Sequence, residues 1–288
     1  MNISEAIIRA EKKLADCGAD TPRLDAEVLL AHALGRSRSG LCLVRKDPID
    51  PDIAEKFDSW IDKRSKGCPV AYITGTREFW SLPIRVSPDV LIPRPETETV
   101  VEEALKIARA LKRPCAILDM CTGSGCIAAA LAQELPEASI VATDLSERAL
   151  AVAQSNLSGV GRKVKLLAGD LFRPIEDQRL GPFDVITANP PYISDSEMPD
   201  LPCDVRDFEP RAALAAGPSG LDFISRILKD ALRHLVPGGW LLMEIGAGQS
   251  AAAIGTAAEI DGYDTIKTAN DLAGIERVVM ARKSAWKN

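Results

Sequence analysis

Histidine is scarce in this chain and Cys-x-x-Cys pairs are missing, and both absences narrow the chemistry that it can perform. Of 288 residues only two are histidines, His32 and His234, and each lies in an apolar pattern of helical spacing. Both are therefore interpreted as structural or surface residues, which argues against a Ser-His-Asp triad or a histidine-bound catalytic metal. The seven cysteines form no Cys-x-x-Cys pair, so neither a disulfide framework nor a zinc knuckle is indicated. No metal site is expected.

Long apolar runs and an excess of basic residues are missing as well. No apolar segment approaches the roughly 18–20 residues that are needed to cross a bilayer, and the first residues are too charged for the apolar core of a signal peptide. The 35 Lys and Arg residues against 41 Asp and Glu residues give a formal charge of -6, whereas sequence-independent nucleic-acid binding needs clustered cations. We therefore expect a cytoplasmic, monomeric protein that binds neither membranes nor, stably, nucleic acid.

The first part of the chain, residues 1–68, is predicted to form a small helical domain. Apolar residues recur at helical spacing, with Gly18 and Gly35 placed to end the first two helices. Pro22 suits the first position of the second helix, and a third is predicted over 52–64. These helices contain no cluster of catalytic groups, so the domain is either a packing domain or one that recognises a partner.

Residues 69–94 are predicted to form a β-hairpin that links this domain to the rest of the chain. Three short β-like segments indicate it: 71–73, 79–80 and 90–92. The next residues, Pro93 to Glu98, are followed by a helical run from Val100 to Leu111, with Pro95 suited to the first helical position. Glu96 and Glu98 suit the first turn of this helix on dipole grounds, and a role for them in a site is equally open.

From residue 95 to 288 the pattern predicts an α/β domain. Strands are predicted at 116–120, 139–143, 164–168, 183–188, 239–245, 264–269 and 276–281. Helices are predicted at 126–135, 147–157, 221–235 and 249–259. Strands and helices that alternate in this way form a mostly parallel sheet, here of seven strands, with helices on both faces.

A glycine-containing loop follows the first of these strands. It reads Cys121-Thr122-Gly123-Ser124-Gly125, and a helix starts at once after it. Glycines in this place let the backbone approach a ligand beside a helix N-terminus. With Ala128 the loop also satisfies the loose Gly-x-Gly-x-x-Gly/Ala pattern of nicotinamide enzymes. Asp144, at the end of the next strand, is placed to accept the two hydroxyls of a ribose, so a dinucleotide and S-adenosylmethionine both remain open.

A further acid, Asp170, follows the third strand, and Leu171 next to it can provide an apolar wall for an adenine ring. The alternative for both Asp144 and Asp170 is ordinary turn chemistry, in which Asp is common. Because the carboxyl ends of parallel strands meet at one edge of the sheet, we expect these residues to form one ligand site.

The fourth strand ends in Asn189-Pro190-Pro191-Tyr192. Two prolines cannot donate ladder hydrogen bonds, so the strand must stop there as a stiff, extended loop. The Asn189 side-chain oxygen and the Pro190 carbonyl can each accept one N–H of an amino group, and Tyr192 can lie against its π plane. The alternative is a proline-rich turn. A hydride-transfer enzyme needs no such clamp, whereas a methyltransferase that acts on an –NH2 group does.

Together these motifs resemble class I S-adenosylmethionine-dependent N-methyltransferases, which have a Rossmann-like fold. The motifs are Asp119-Met120-Cys121-Thr122-Gly123-Ser124-Gly125, Asp144 and Asn189-Pro190-Pro191-Tyr192. Two flanking stretches, Leu91 to Glu98 and Val205 to Arg211, further resemble the peptide chain release factor glutamine methyltransferases. The resemblance covers nearly the whole chain, including a helical N-terminal domain.

The resemblance implies S-adenosylmethionine as the cofactor. The loop from Thr122 to Gly125 would contact its methionine part, and Asp144 its ribose. Asp170 and Leu171 would border the adenine. Cys121 is included in this set although the family commonly has glycine there, and its side chain is expected to require a negative φ.

The resemblance also implies a substrate, the glutamine of the Gly-Gly-Gln tripeptide in a peptide chain release factor, methylated on its side-chain amide nitrogen. Asn189, Pro190 and Tyr192 would be the catalytic residues, with Pro191 in the same substrate-binding loop and Asn189 also bordering the cofactor. The N-terminal helices are the candidate surface for the folded partner.

Three other functions share part of this sequence pattern. An adenine-N6 methyltransferase of nucleic acid would present a flipped base with the same amino geometry, but the acidic charge and the lack of a basic recognition domain argue against it. A glutamine methyltransferase of a ribosomal protein would share this architecture. A non-catalytic adaptor would not need the clamp or the cofactor acids.

Overall fold

The chain is divided between two units, one of which is not continuous in sequence. The computed structural model describes residues 1–160 and 164–285. The first unit comprises Met1–Thr76 and Pro202–Phe208, and the second comprises Arg77–Leu201 and Glu209–Asn288. The chain therefore leaves the second unit for a short segment and then returns to it.

The first unit is built from helices whose apolar faces share one core. Its helices are α1 (Ile3–Asp16), α2 (Pro22–Ala33), α3 (Pro51–Arg64) and α4 (Val70–Thr74), with a 3-10 turn at Ser39–Leu43. Leu14, Leu29 and Phe57 are fully buried in this core. As predicted, Pro22 is the first residue of α2, with Thr21 as its N-cap. A proline is favoured there because it removes only an N–H that has no partner within the helix.

The predicted strand at 71–73 is wrong, because these residues form the short helix α4. Pro69 is the N-cap of this helix, and the Thr74 hydroxyl donates to the Val70 carbonyl oxygen at 3.1 Å. Gly75 then ends the helix at a φ of 74°. Local capping has thus overridden the strand preference of tyrosine and isoleucine.

The hairpin is present but shorter than the predicted range 69–94. Its strands are β1 (Thr76–Phe79) and β2 (Leu82–Arg85). They are joined by Trp80 and Ser81 at φ values of 52° and 58°, and positive φ at both central residues is the geometry of a tight hairpin turn. The third predicted β-like segment, 90–92, forms no strand and lies in a largely buried connection.

The second unit contains the predicted α/β sheet. Its strands are β3 (Ala116–Met120), β4 (Ser139–Asp144), β5 (Val164–Ala168), β6 (Phe183–Ala188), β7 (Leu235–Glu244), β8 (Tyr263–Asn270) and β9 (Glu276–Lys283). Within the described residues they form a seven-stranded sheet in the order β5-β4-β3-β6-β7-β9-β8. All pairs from β5 to β7 are parallel, and β9 is antiparallel to both of its neighbours. The predicted fold class is confirmed.

Helices connect the strands of this sheet. They are α5 (Glu98–Ala110), α6 (Cys126–Glu134), α7 (Glu147–Val160), α8 (Arg173–Asp177), α10 (Asp222–His234) and α11 (Ser250–Ala258), while the single turn α9 (Cys203–Arg206) belongs to the first unit. The longer helices agree with the predicted ranges, and the short α8 and α9 were not predicted. In the part of the chain that the structure describes, no helix has the length and apolar character to span a membrane.

The register of the sheet brings the predicted site to one edge. Met120 of β3 pairs with Thr143 of β4 on one side and with Ala188 of β6 on the other, and Ala188 pairs with Met243 of β7. The residues that follow these positions therefore leave the sheet side by side at its carboxyl edge, where open α/β sheets bind ligands.

Candidate active site

A cavity of about 200 Å³ lies at the carboxyl edge of the sheet, within the second unit. Nine of the predicted site residues line it: Cys121, Thr122, Gly123, Ser124, Asp144, Asp170, Leu171, Asn189 and Pro191. Three do not: Gly125, Pro190 and Tyr192. The ends of four parallel strands therefore contribute to one concave site, as the strand-end argument requires.

The glycine loop is held from two sides by carboxylates. The Thr122 hydroxyl donates to Asp119 Oδ2 at 2.6 Å, and the Gly123 N–H donates to Asp144 Oδ2 at 2.8 Å. Thr187 of the neighbouring strand donates to the other Asp119 oxygen at 2.8 Å. These hydrogen bonds fix the backbone of the loop before any ligand binds.

Asp119, which belongs to the motif at the end of the first sheet strand, has a structural role of its own. It is fully buried, and this burial raises its pKa to about 6. The two hydroxyl donors lower the pKa in turn, because they stabilise the charged form. A carboxyl group in a strand that is otherwise apolar is the sequence signal that marks such a residue.

The expectation of a negative φ at Cys121 is wrong, because this residue has a φ of 54°. Its side chain packs against the apolar core of the second unit, which compensates for a backbone conformation that usually favours glycine. Burial raises the pKa of the Cys121 thiol, so the thiol stays protonated and is a poor nucleophile.

Asp144 accepts backbone hydrogen bonds on both carboxylate oxygens. Oδ2 accepts the Gly123 N–H, and Oδ1 accepts the Ser146 N–H at 2.9 Å. A carboxylate has about four acceptor positions, so the remaining lone pairs are available to two ligand hydroxyls. Asp170, by contrast, is paired with Arg226 of α10, and the adjacent Leu171 is buried.

Asn189 is half-buried and has a defined orientation. Its Nδ2 donates to the hydroxyl of Thr97 at 3.2 Å, and both residues line the cavity. Because the nitrogen is directed to Thr97, the side-chain oxygen Oδ1 is the atom left to accept a hydrogen bond from a ligand. Thr97 lies in the stretch from Leu91 to Glu98 that carried the resemblance, but it was not predicted as a site residue.

Tyr192 lies behind this loop. Its hydroxyl donates to Glu244 Oε1 at 3.2 Å, and Gln249 Nε2 donates to its backbone carbonyl at 2.8 Å. Burial and the charge of Glu244 raise the pKa of the Tyr192 hydroxyl, which therefore remains a donor. Glu244 was also not predicted as a site residue.

The parts of the two flanking stretches that belong to the second unit meet at the cavity. Glu209 is buried and accepts from the Ile92 N–H at 3.2 Å and from Arg94 Nη2 at 2.6 Å. Leu91 and Pro93 of the same segment line the cavity, as does Pro210. Glu209 therefore anchors one wall of the site.

Alanine substitutions at the two loop glycines are expected to distinguish the free-energy cost of backbone strain from the cost of a packing clash. Gly125 has a φ of 77°, and a Cβ there would lie 3.0 Å from the Ala153 Cβ of α7. Gly123 has a φ of 55°, and a Cβ there would have no neighbour within 4 Å. Gly125→Ala should therefore cost about 2–4 kcal/mol of unfolding free energy, and Gly123→Ala about 1–2 kcal/mol. Urea denaturation of both variants measures this, and equal losses would contradict the packing argument.

Both parts of the chain match models of known protein families. A family model described as the PrmC N-terminal domain matches residues 5–75, and one described as the methyltransferase small domain matches residues 102–201. The catalytic domain of hMettl16, solved in complex with MAT2A 3'UTR hairpin 6, superposes with a TM-score of 0.56 at 18% identity, covering 80% of this chain and 83% of that one. A likeness at that identity shows the fold alone.

Curated relatives align over nearly the whole chain. The release factor glutamine methyltransferase of Geobacter sulfurreducens is 44% identical over 269 residues, which covers 93% of this chain and 92% of that protein. The protein of the same name from Escherichia coli is 40% identical over 265 residues, which covers 92% and 93% of the two chains. Because this similarity extends through both units, the chain belongs to the release factor glutamine methyltransferase family.

Proposed function

We propose that the chain transfers a methyl group from S-adenosylmethionine to the side-chain amide nitrogen of the glutamine in the Gly-Gly-Gln tripeptide of peptide chain release factors. The observation that carries this proposal is the orientation of Asn189 at the cavity, with its nitrogen held by Thr97 and its oxygen left to accept. The family to which the chain belongs supports the same reaction.

The residues of the cavity fit the proposed cofactor. Asp144 keeps acceptor positions for the ribose hydroxyls, and the loop from Cys121 to Ser124 borders the same space. Leu171 and Phe223 supply apolar surface on its lining. The carboxylate of Asp144 favours a cationic ligand at this edge, whereas that of Asp170 is offset by Arg226. When bound, S-adenosylmethionine supplies an electrophilic methyl group on a positively charged sulfur.

The substrate nitrogen is a poor nucleophile, because its lone pair is delocalised into the amide carbonyl. The chain's contribution is therefore to position it. Asn189 Oδ1 and the Pro190 carbonyl oxygen each accept one of its two N–H groups, which aims the lone pair in one direction. The same two acceptors stabilise the positive charge that grows on the nitrogen, and the proton leaves afterwards to water.

The two domains are proposed to have separate roles. The N-terminal helical domain, residues 1–68, recognises the folded release factor, while the methyltransferase domain from residue 95 onward carries the chemistry. The protein acts as a cytoplasmic monomer without stable binding to nucleic acid or membrane.

A labelling experiment tests the proposed function. The protein is incubated with methyl-labelled S-adenosylmethionine and, separately, with a release factor, the same factor with Gln→Glu in its Gly-Gly-Gln tripeptide, total RNA, DNA or ribosomal proteins. We expect label only in the unmodified release factor, at the glutamine side chain. Label in nucleic acid or in a ribosomal protein, with none in the release factor, would overturn the proposal.

A further inference from the structure

Glu244 is a buried carboxyl group next to the substrate loop that the proposed reaction does not yet use. It ends β7 and is 2% exposed. Its Oε1 accepts the Tyr192 hydroxyl at 3.2 Å. Its Oε2 is fully buried and, among residues 1–160 and 164–285, has no hydrogen-bond partner. A buried oxygen in this state costs free energy, so its presence calls for an explanation.

A second contact connects this carboxyl group to the clamp. The Thr97 hydroxyl lowers the pKa of Glu244, because a neighbouring donor stabilises the charged form. The same hydroxyl oxygen accepts from Asn189 Nδ2 at 3.2 Å. Because the Thr97 oxygen is occupied as an acceptor by Asn189, its own hydrogen is free to turn toward the carboxyl group. The direction of donation is then Asn189 to Thr97 to Glu244.

We propose that the Glu244 carboxylate is a positioning residue for methyl transfer, which through Thr97 keeps the Asn189 amide with its nitrogen inward and its oxygen toward the substrate. This inference rests on the proposed function, since it concerns the orientation of the same clamp. Tyr192 supplies the second donor to the carboxylate, so the back of the substrate loop is held at the same point.

Only a carboxylate enforces this direction of donation. It accepts on both oxygens, whereas the amide of a glutamine has one acceptor and one –NH2 group that donates. If that –NH2 group faced Thr97, the Thr97 hydrogen would turn toward Asn189. The Asn189 amide would then favour the flipped orientation, with its nitrogen toward the substrate amide, which repels the substrate N–H.

The direction of hydrogen-bond donation from Asn189 through Thr97 depends on pH, because it requires Glu244 to be ionised. The pKa of Glu244 is raised to about 7, chiefly by burial and to a smaller extent by the charge of Glu96, against the lowering effect of Thr97, Tyr192 and Arg277 of β9. Turnover should rise as the pH rises through this value, because the ionised form accepts both donors. Stability should change in the opposite sense: a carboxyl group whose folded pKa lies above its unfolded value stabilises the fold at low pH, and that contribution is lost as the pH rises through the folded pKa.

The test uses the full chain with Glu244→Gln. We expect kcat for release factor methylation to fall about 10- to 100-fold, the rising limb of the pH profile near neutrality to disappear, and the Kd of S-adenosylmethionine by calorimetry to change less than about threefold.

Thr97→Val should give a similar loss of kcat that is not additive with the loss in Glu244→Gln, because both variants break one chain of hydrogen bonds. Thr97→Ser keeps the hydroxyl group and should retain activity. Asp184→Asn is the matched control: Asp184 is also buried in the sheet but bonds to Arg113 and the Ala116 N–H, so this variant should lose thermal stability and keep its kcat.

A second measurement keeps the test independent of turnover. In the wild-type protein the Asn189 side-chain –NH2 signals, assigned by their loss in Asn189→Asp, should be protected from solvent exchange, and Glu244→Gln should remove that protection. Wild-type kcat and an unchanged pH profile in Glu244→Gln would overturn the inference, as would unchanged protection of Asn189. A wild-type protein that does not methylate release factors would instead refute the proposed function, and the exchange measurement would still decide the role of Glu244.

Discussion

Replacing Asn189 by alanine is expected to lower the turnover of release factor methylation about 100- to 1,000-fold, the range seen when one preorganised group in a catalytic site is removed. The variant loses the Oδ1 acceptor that would hold one N–H of the substrate amide. The Pro190 carbonyl alone would leave the nitrogen free to rotate, and misplacement by about 1 Å costs roughly two orders of magnitude in rate. Because the cofactor acids are untouched, the Kd of S-adenosylmethionine should change by less than about threefold.

Single-turnover methyl transfer and calorimetry on the same preparation measure these two quantities. Gln154→Ala is a suitable control, because it removes an exposed carboxamide on α7 and should leave both quantities unchanged. An Asn189→Ala variant with full turnover and lost cofactor affinity would reverse the assignment of this residue from substrate clamp to cofactor site.

Replacing Asp144 by alanine should have the opposite effect, with an increase of about 100-fold in the Kd of S-adenosylmethionine. The variant would lose both ribose contacts, and hydrogen bonds to charged groups are worth about 1.5–3 kcal/mol each. The backbone N–H groups of Gly123 and Ser146 would also lose their acceptor, so the glycine loop would be less well ordered. At saturating cofactor the turnover should be largely retained, since the clamp at Asn189 is intact.

The affinity of the wild-type protein should also depend on pH through Asp144. Burial raises the pKa of this carboxyl group, so protonation at acid pH removes acceptor positions and should weaken cofactor binding as the pH falls. Asp144→Asn should bind with intermediate affinity and without this acid limb, while Asp177→Ala, which removes an exposed carboxylate, is the control. If Asp144→Ala bound the cofactor as tightly as the wild type, the ribose assignment would be wrong.

The sheet was predictable because its strands are buried. Segments such as 116–120 and 183–188 are apolar apart from single buried carboxyl residues and a threonine, and their bounds in the structure match the predicted ones. The segment 71–73 has the same residue types but is decided by a helix N-cap and a following glycine. Short elements of this kind depend on caps and neighbours more than on composition.

The residues of the candidate site could be predicted only where a polar side chain directly follows a strand. Asp144 and Asn189 could be found in this way, since parallel strands align their carboxyl ends. Thr97 could not, because it reaches Asn189 across 92 positions, and Glu244 reaches Tyr192 across 52. The positive φ of Cys121 also escaped prediction, because the packing that compensates it comes from distant parts of the chain.

The discontinuity of the first unit has a practical consequence for anyone who builds chimaeras from this family. Phe208 lies beside Gly67, where an added Cβ would meet its ring at 3.3 Å, yet the chain reaches it only after the substrate loop. A gene truncated to begin at the hairpin would still encode this aromatic side chain but not the helices on which it packs. Exchange of the first unit between relatives therefore requires two separate segments, the N-terminal helices and Pro202–Phe208, transplanted together.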